Sequence, residues 1–419
     1  MKIDIRNRLE KLLQRLREID LRMMIFYLLL IICGLFIQLD ITSASGTLPY
    51  FLKQFLISLT AIFFCVLIYL FWKIKWFKWS FWIFYVITLG LLIYVLHHGE
   101  DLMGAKRMMI IDLKVITISL QPSLLARLVL VVLFARVLSR RANLIANSSF
   151  VPFVKNFFPL LLFTGVYYIL ILKENHLSAV LTSGFTLISL LFLANIRKAT
   201  ILILIICVLI LGSVVVIYQK SDKSNSANKT NSETVQLKTE AAIKDTAEGS
   251  NFRIARIESF IESCLIIRWL TGNKTNYGMS GNNRESIFCL STGKLLGCGA
   301  NGGMGKLKFL NEPRTDFVFA IIVEEFGLLG ALFIMFFYLG LVNRGINISS
   351  RQKLIFNRLL GYGFSLNIFF NVIIHIGAVS GCLPTTGVTL PFISHGGSSI
   401  VVNSMAIGIL LILARQEKE

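Results

Sequence analysis

Charged side chains are scarce in this chain of 419 residues. Only 16% of the residues are Asp, Glu, Lys or Arg, whereas soluble domains contain about 25%. In contrast, 55% are hydrophobic, and the mean hydropathy is +0.72. This composition excludes an ordinary soluble enzyme and a disordered protein. It also excludes a nucleic-acid binder, although the net charge is +19.

Motifs for metal, redox and nucleotide chemistry are also missing. The seven cysteines form no CxxC pair and no zinc-ligand spacing. The sequence contains no Walker motif, no dinucleotide-binding glycine pattern, no HExxH and no nucleophile elbow. These absences argue against a disulfide framework, a metal or redox motif and ATP-driven transport by this chain alone.

Long apolar runs predict an all-α polytopic membrane protein. A membrane span takes about 20 residues, and ten segments meet that criterion. The predicted spans are 23–41, 50–72, 79–97, 121–138, 153–172, 178–196, 199–218, 317–342, 357–380 and 398–414.

The distribution of Lys and Arg supports this number of spans and sets their orientation. With the N-terminus inside, the inside segments hold 21 Lys or Arg, and the short outside loops hold four. This asymmetry follows the positive-inside rule. We therefore expect spans 1–7 within 23–218, spans 8–10 within 317–414 and a cytoplasmic tail at 415–419.

The segment 1–22 combines seven Lys or Arg with leucines at helical spacing. This pattern predicts a basic amphipathic helix on the cytoplasmic membrane surface. A cleaved signal peptide is the weaker alternative, because the apolar run that follows is longer than a typical signal core.

The loop 219–316 is expected on the outer side. Its part 221–250 has no aromatic residue and cannot bury a core, so we expect it to be disordered. From residue 251 onward, apolar and charged residues alternate at helical spacing. This pattern predicts an amphipathic helix that carries Arg253 and Arg256.

Asp316 is the first candidate for chemistry, since it opens the eighth span. The free N–H groups and the dipole of a helix N-terminus favour the charged form of a carboxylate. An ionised Asp316 at the membrane edge could act as a general base. The alternative is a helix cap, for which Asp is a favoured residue.

Glu324 and Glu325 follow at roughly 12–14 Å further into the membrane. Helical geometry predicts that Glu324 shares a face with Asp316 and that Glu325 points elsewhere. Buried carboxylates need partners or protons, and Asn371 and His375 are candidate partners. A structural polar network is the alternative.

Two further groups could bind an anion. Lys106 and Arg107 lie in an outside loop, against the positive-inside bias, and could hold a phosphate or pyrophosphate. The loop 384–399 is rich in Pro and Gly, and Ser398 or Ser399 would cap the tenth helix. The alternatives are solvated loop charges and a structural re-entrant loop.

Two long motifs resemble the SEDS family of FtsW, RodA and SpoVE proteins. They are KLKFLNEPRTDFVFAIIVEEFGLLG at 306–330 and LPTTGVTLPFISHGGSS at 383–399. The resemblance covers nearly the whole chain except 221–250. It implies a peptidoglycan glycosyltransferase that polymerises lipid II at the outer face of the bacterial cytoplasmic membrane, beside a class B penicillin-binding protein, for division or cell shape. The catalytic Asp of the family's TDF motif falls on Asp316.

The implied reaction inverts the anomeric centre, so one base must take the proton of the acceptor hydroxyl. Asp316 is assigned as that base. The leaving pyrophosphate needs cations of the chain or a divalent cation such as Mg²⁺ or Mn²⁺; no metal ligand is assigned. The substrate-binding candidates are Lys106, Arg107, Arg253, Arg256, Glu324, Ser398 and Ser399.

The sequence departs from the family's usual pattern at Met108, Leu124, His176 and His395. Because of these departures, a catalytically weak scaffold of the division machinery is one alternative function. A flippase for lipid-linked precursors is another alternative, because Glu324, Glu325 and His375 are intramembrane ionisable groups. The motifs favour FtsW slightly over RodA.

Overall fold

Long apolar helices make up most of the computed structural model of the chain. It describes residues 10, 14–45, 48–79, 81–101, 106–112, 117–142, 150–174, 176–196, 198–203, 281–310, 312–383 and 387–418. The predictions for the disordered segment, for the amphipathic helix with Arg253 and Arg256 and for most of the N-terminal helix lie outside the described residues.

The helices follow the predicted order. They are α1 (Leu21–Ser45), α2 (Leu48–Phe71), α3 (Ile74–Trp79), α4 (Phe81–His98), α5 (Pro122–Arg140), α6 (Phe150–Lys173), α7 (Leu177–Leu193), α8 (Gly281–Gly293), α9 (Val318–Ser350), α10 (Ile355–Val379) and α11 (Gly397–Lys418). In the described part of the chain, eight helices are long and apolar enough to cross a membrane. α7 is also apolar over Ser178–Leu193 but is shorter than these eight. The multi-pass α-helical fold is thus confirmed. Most of the predicted seventh span, 199–218, lies outside the described residues.

The helices pack around one apolar core. α11 packs most extensively against α2, and α9 packs against α10 and α1. α5 lies between α7, α10 and α4, and most of its residues are buried. α5 has few lipid-facing positions, and Arg127, near the middle of its first half, is buried as well.

A small antiparallel sheet, which the sequence did not predict, lies between α4 and α5. Its strands are β1 (Glu100–Asp101), β2 (Lys106–Asp112) and β3 (Thr117–Leu120), in the order β1-β2-β3. β3 leads through Gln121 directly into α5 and packs against α11. The sheet therefore covers the end of the bundle at which α5 and α11 begin.

α9 is longer than the predicted span 317–342 and is interrupted at Gly327. The helix has 33 residues, about 50 Å, whereas the hydrocarbon layer is about 30 Å thick. Gly327 has φ 67° and ψ −167°, which breaks the helical hydrogen bonding. The segment 294–299 supplies the missing partners: Leu328 N donates to Lys294 O at 3.0 Å, and Cys298 N donates to Glu324 O at 2.9 Å. The break is thus stabilised by a neighbouring chain segment.

We expect Gly327→Ala to destabilise the protein by about 1–3 kcal/mol or more, because this φ/ψ region is essentially restricted to glycine. A Cβ at Gly327 would also lie 2.3 Å from the carbonyl oxygen of Leu295. The matched control is Gly90→Ala in α4, where a Cβ meets nothing within 4 Å. Helix propensity predicts that this control is neutral or stabilising by about 0.5–1 kcal/mol. Thermal unfolding of both purified variants measures the difference, and equal midpoints would contradict the role of Gly327.

Candidate active site

The turn 312–317 precedes α9 and contains Asp316. The N–H of Asp316 donates to Glu312 O at 3.2 Å, and the Oγ1 of Thr315 donates to Glu312 Oε2 at 3.1 Å. The N-cap residue of α9 is Phe317, so Asp316 lies one position before the cap. The alternative that Asp316 serves as the cap of this helix is therefore wrong. Asp316 is half-buried just before the start of α9.

The second sequence motif holds this turn in place. In the loop before α11, His395 N donates to Arg314 O at 2.8 Å, and Ser394 Oγ donates to Thr315 O at 2.7 Å. From α1, Gln38 Nε2 donates to the same carbonyl of Arg314 at 3.1 Å. The two motifs thus meet at the residues that precede Asp316, through contacts such as the one between Ser394 and Thr315, which are 79 positions apart.

Cationic side chains lie beside the turn. The guanidinium of Arg314 lies 4.6 Å from the ring centroid of Tyr50, and the ring of His395 lies 6.3 Å from the same ring. Burial, together with the charges of Lys53 and Arg314, lowers the pKa of His395 to about 4. His395 is therefore neutral near pH 7. Lys53 and Arg314 were not predicted as site residues, because both stand next to apolar or motif residues in the sequence.

This depressed pKa predicts a pH dependence of stability. The unfolded chain binds a proton at His395 near pH 6.5, while the folded chain resists it until about pH 4. The stabilisation is therefore complete above pH 6.5 and is lost as the pH falls through 4. Between pH 7 and pH 4.5, we expect the unfolding temperature to fall less in His395→Gln than in the unmodified protein. Parallel curves of unfolding temperature against pH would contradict this assignment.

Glu324 binds the glycine-rich segment that follows α8. Its Oε1 accepts the N–H of Met304 at 2.9 Å, and its Oε2 accepts the N–H of Gly305 at 3.0 Å. The predicted partners Asn371 and His375 are therefore wrong. Only 1% of Glu324 is exposed, so backbone N–H groups satisfy a buried carboxylate.

Glu325 belongs to a buried ion cluster of three side chains. Lys306 Nζ lies 2.6 Å from Asp40 Oδ2 and 2.5 Å from Glu325 Oε1. Lys306 lies in a π-helical turn (Gly305–Phe309), while Asp40 lies in α1 and Glu325 in α9. Burial alone would lower the pKa of Lys306, but its hydrogen bonds to the two carboxylates raise it above the ordinary value. The cluster joins α1, α9 and the segment leading to Asp316.

A second buried cation lies among α5, α7 and α10. The Nη1 of Arg127 donates to Thr182 Oγ1 at 3.0 Å and to Asn371 Oδ1 at 2.5 Å. Its Nε has no hydrogen-bond partner, and it forms no ion pair with a described carboxylate. Arg127 was not among the residues predicted from the sequence, although an Arg inside a predicted span is a recognisable signal. His375, one turn from Asn371, binds Val388 O through Nδ1 at 2.6 Å.

Ser398 and Ser399 lie inside the first turn of α11, which begins at Gly397. The expectation that either serine caps the helix is therefore wrong. The Oγ of Ser399 accepts a hydrogen bond from Thr389 Oγ1 at 2.8 Å and one from Asn403 Nδ2 at 3.3 Å. The hydrogen bond from Thr389 joins the preceding loop to α11.

The structure describes only some of the remaining residues that were predicted for the site. Lys106 and Arg107 begin β2, and the structure describes their backbone but not their side chains. Arg253 and Arg256 lie outside the described residues. At the departures from the family pattern, Leu124 is buried, and His176 Nδ1 lies 2.8 Å from Ser123 Oγ. Within the described ranges, no three His, Cys, Asp or Glu side chains come together as a metal site.

Comparison with known proteins gives consistent results. The sequence matches the FtsW/RodA/SpoVE family of cell cycle proteins over residues 17–419. It is 30% identical over 319 residues to a probable peptidoglycan glycosyltransferase FtsW of Coxiella burnetii, covering 75% of this chain and 73% of that protein. It is 38% identical to the stage V sporulation protein E of Bacillus subtilis over 134 residues, covering 32% and 37% of the two chains.

Solved structures show the same fold. The rod shape determining protein RodA of Thermus thermophilus superposes with a TM-score of 0.63 at 19% identity, covering 96% of this chain and 98% of that chain. A chain from a peptidoglycan synthase complex that coordinates polymerization and crosslinking superposes with a TM-score of 0.68 at 19% identity, covering 96% and 99%. The chain belongs to the FtsW/RodA/SpoVE family.

Proposed function

We propose that this protein polymerises lipid II into β-1,4 glycan strands at the outer face of the bacterial cytoplasmic membrane, with Asp316 as the general base. It is a multi-pass membrane enzyme of the peptidoglycan glycosyltransferase class. The observation that carries the proposal is the turn 312–317, which both motifs of the sequence fix at the outer mouth of α9.

Asp316 suits the role of a base by its position. It lies one residue before the N-cap of a long helix, where N–H groups and the helix dipole favour a charged carboxylate. An ionised Asp316 takes the proton of the acceptor 4-hydroxyl while that oxygen attacks the anomeric carbon. The bond from this carbon to the pyrophosphate breaks in the same step, and the configuration inverts.

Cations of the chain would stabilise the leaving pyrophosphate. Arg314 belongs to the turn, Lys53 acts electrostatically on the neighbouring His395, and Lys106 and Arg107 stand at the start of β2. Arg127 lies deeper, with an unused N–H donor in the interior of the bundle. Such fixed donors stabilise developing charge without reorganisation.

The proposed partner is a class B penicillin-binding protein, since a chain of similar fold comes from a peptidoglycan synthase complex. Relatives named FtsW, such as that of Coxiella burnetii, support a role in division over a role in elongation.

A reconstitution experiment tests the activity. The full chain is purified with its penicillin-binding partner and incubated with labelled lipid II, and the products are separated by size. We expect glycan polymers. In a second arm, vesicles containing the chain alone and labelled lipid II are assayed for translocation. If the second arm shows translocation and neither arm yields polymer, the polymerase proposal is overturned in favour of a flippase.

A further inference from the structure

An open cavity of about 490 Å³ lies where α1 begins and α9 ends. Four arginines and one carboxylate line it, namely Arg17, Arg22, Arg344, Arg351 and Asp20. The positive-inside distribution of Lys and Arg places this end of the bundle in the cytoplasm. The cavity is therefore on the opposite side of the membrane from Asp316 and is separate from the proposed active site.

Hydrogen bonds and an ion pair within the fold already neutralise the charge of Asp20. Its Oδ1 accepts the N–H of Met23 at 2.9 Å at the start of α1, and its Oδ2 binds Arg344 Nη2 at 2.5 Å. Arg351 pairs with Glu417 at 3.0 Å on the rim. Arg17 and Arg22 are exposed and form no ion pair with a described carboxylate. The cavity thus has an excess of positive charge that the described part of the chain does not neutralise.

Apolar side chains continue from the cavity towards the membrane. Leu21 lines the cavity and is 70% exposed. About one turn deeper, Ile25 of α1 and Leu339 of α9 are 52% and 51% exposed. Exposed apolar residues directly below cationic residues match the arrangement of an acyl chain below a phosphate head group. A soluble anion would contact only the arginines and not the apolar side chains.

We propose that this cavity binds the phosphate head group of an anionic phospholipid of the cytoplasmic leaflet. Guanidinium groups bind phosphate oxygens in a bidentate manner, and basic pockets between membrane helices fit anionic head groups. Arg17 and Arg22 bind the phosphate, and the acyl chains lie along Leu21, Ile25 and Leu339. The bound lipid joins the first helix to the end of α9, beside the pair of Asp20 and Arg344.

The test measures lipid retention by native mass spectrometry of the full chain purified in detergent. Phosphatidylglycerol and phosphatidylcholine are added at equal concentration, with and without millimolar inorganic phosphate. The variant Arg17→Gln/Arg22→Gln removes two charges from the cavity. The matched control, Lys73→Gln/Lys75→Gln, removes two exposed charges from another cytoplasmic segment.

We expect selective retention of phosphatidylglycerol, a loss of about tenfold or more in the arginine variant and a change of less than about twofold in the lysine control. Thermal unfolding shows whether the arginine variant is folded. If it is not folded, the same measurement on Arg22→Gln alone, with about a fivefold loss expected, replaces it. Equal retention of both lipids, equal losses in both double variants, or binding of inorganic phosphate that displaces the lipid completely would overturn the proposal.

Discussion

Replacing Asp316 with Asn should lower the rate of lipid II polymerisation by about 10²–10⁴-fold, the range that a positioned general base contributes. Asn has nearly the same shape, but its amide cannot accept the proton of the attacking hydroxyl. The backbone contacts of the turn with Glu312 do not depend on the carboxylate. We therefore expect the fold, the unfolding temperature and the assembly with the partner to remain unchanged.

The control for this variant is Glu285→Gln in α8, which also removes one carboxylate from the outer side. It should polymerise lipid II at the rate of the unmodified protein. Normal polymer yield from Asp316→Asn would remove Asp316 from the mechanism. Rescue of a depletion strain by Asp316→Ala would favour the alternative of an inactive scaffold.

The helices of this fold were predictable because apolar length alone defines a membrane span. The run 50–72 corresponds to α2, and the run 357–380 corresponds to α10. The sheet and the break at Gly327 were not predictable in this way. The strands are short, and the hydrogen-bond partners of the break come from residues 294–299, which lie about 30 positions earlier. Such pairing is non-local and leaves no periodic signal.

The site was predictable only in part, for a similar reason. The position of Asp316 at the start of a span could be identified from the sequence. Its supports could not, since the turn is fixed through the carbonyls of Arg314 and Thr315, and any sequence supplies carbonyls. Glu324 likewise binds backbone N–H groups and not the side chains that were predicted. Arg127 is different, because its charge inside span 121–138 was visible in the sequence.

Lys306→Met should destabilise the protein by about 3–5 kcal/mol, because it leaves two carboxylates buried without their cation. Side-chain exposure in the cluster is 1% for Lys306, 8% for Asp40 and 0% for Glu325, so water cannot replace the lysine. The variant should unfold at a markedly lower temperature. The contrasting control is Glu417→Gln, which breaks a pair with the 63% exposed Arg351 and should cost less than about 1 kcal/mol.

The triple variant Asp40→Asn/Lys306→Met/Glu325→Gln separates charge from shape. It removes all three charges together, so no buried charge is left unpaired, and we expect it to regain much of the stability that Lys306→Met loses. Lys306 precedes Asp316 by ten residues and connects the turn's segment to α1 and α9. If the cluster only stabilises the fold, the triple variant regains polymerisation together with stability. If the cluster also positions Asp316, the triple variant is stable but slow. A Lys306→Met protein as stable as the unmodified one would show that the cluster does not hold these elements together.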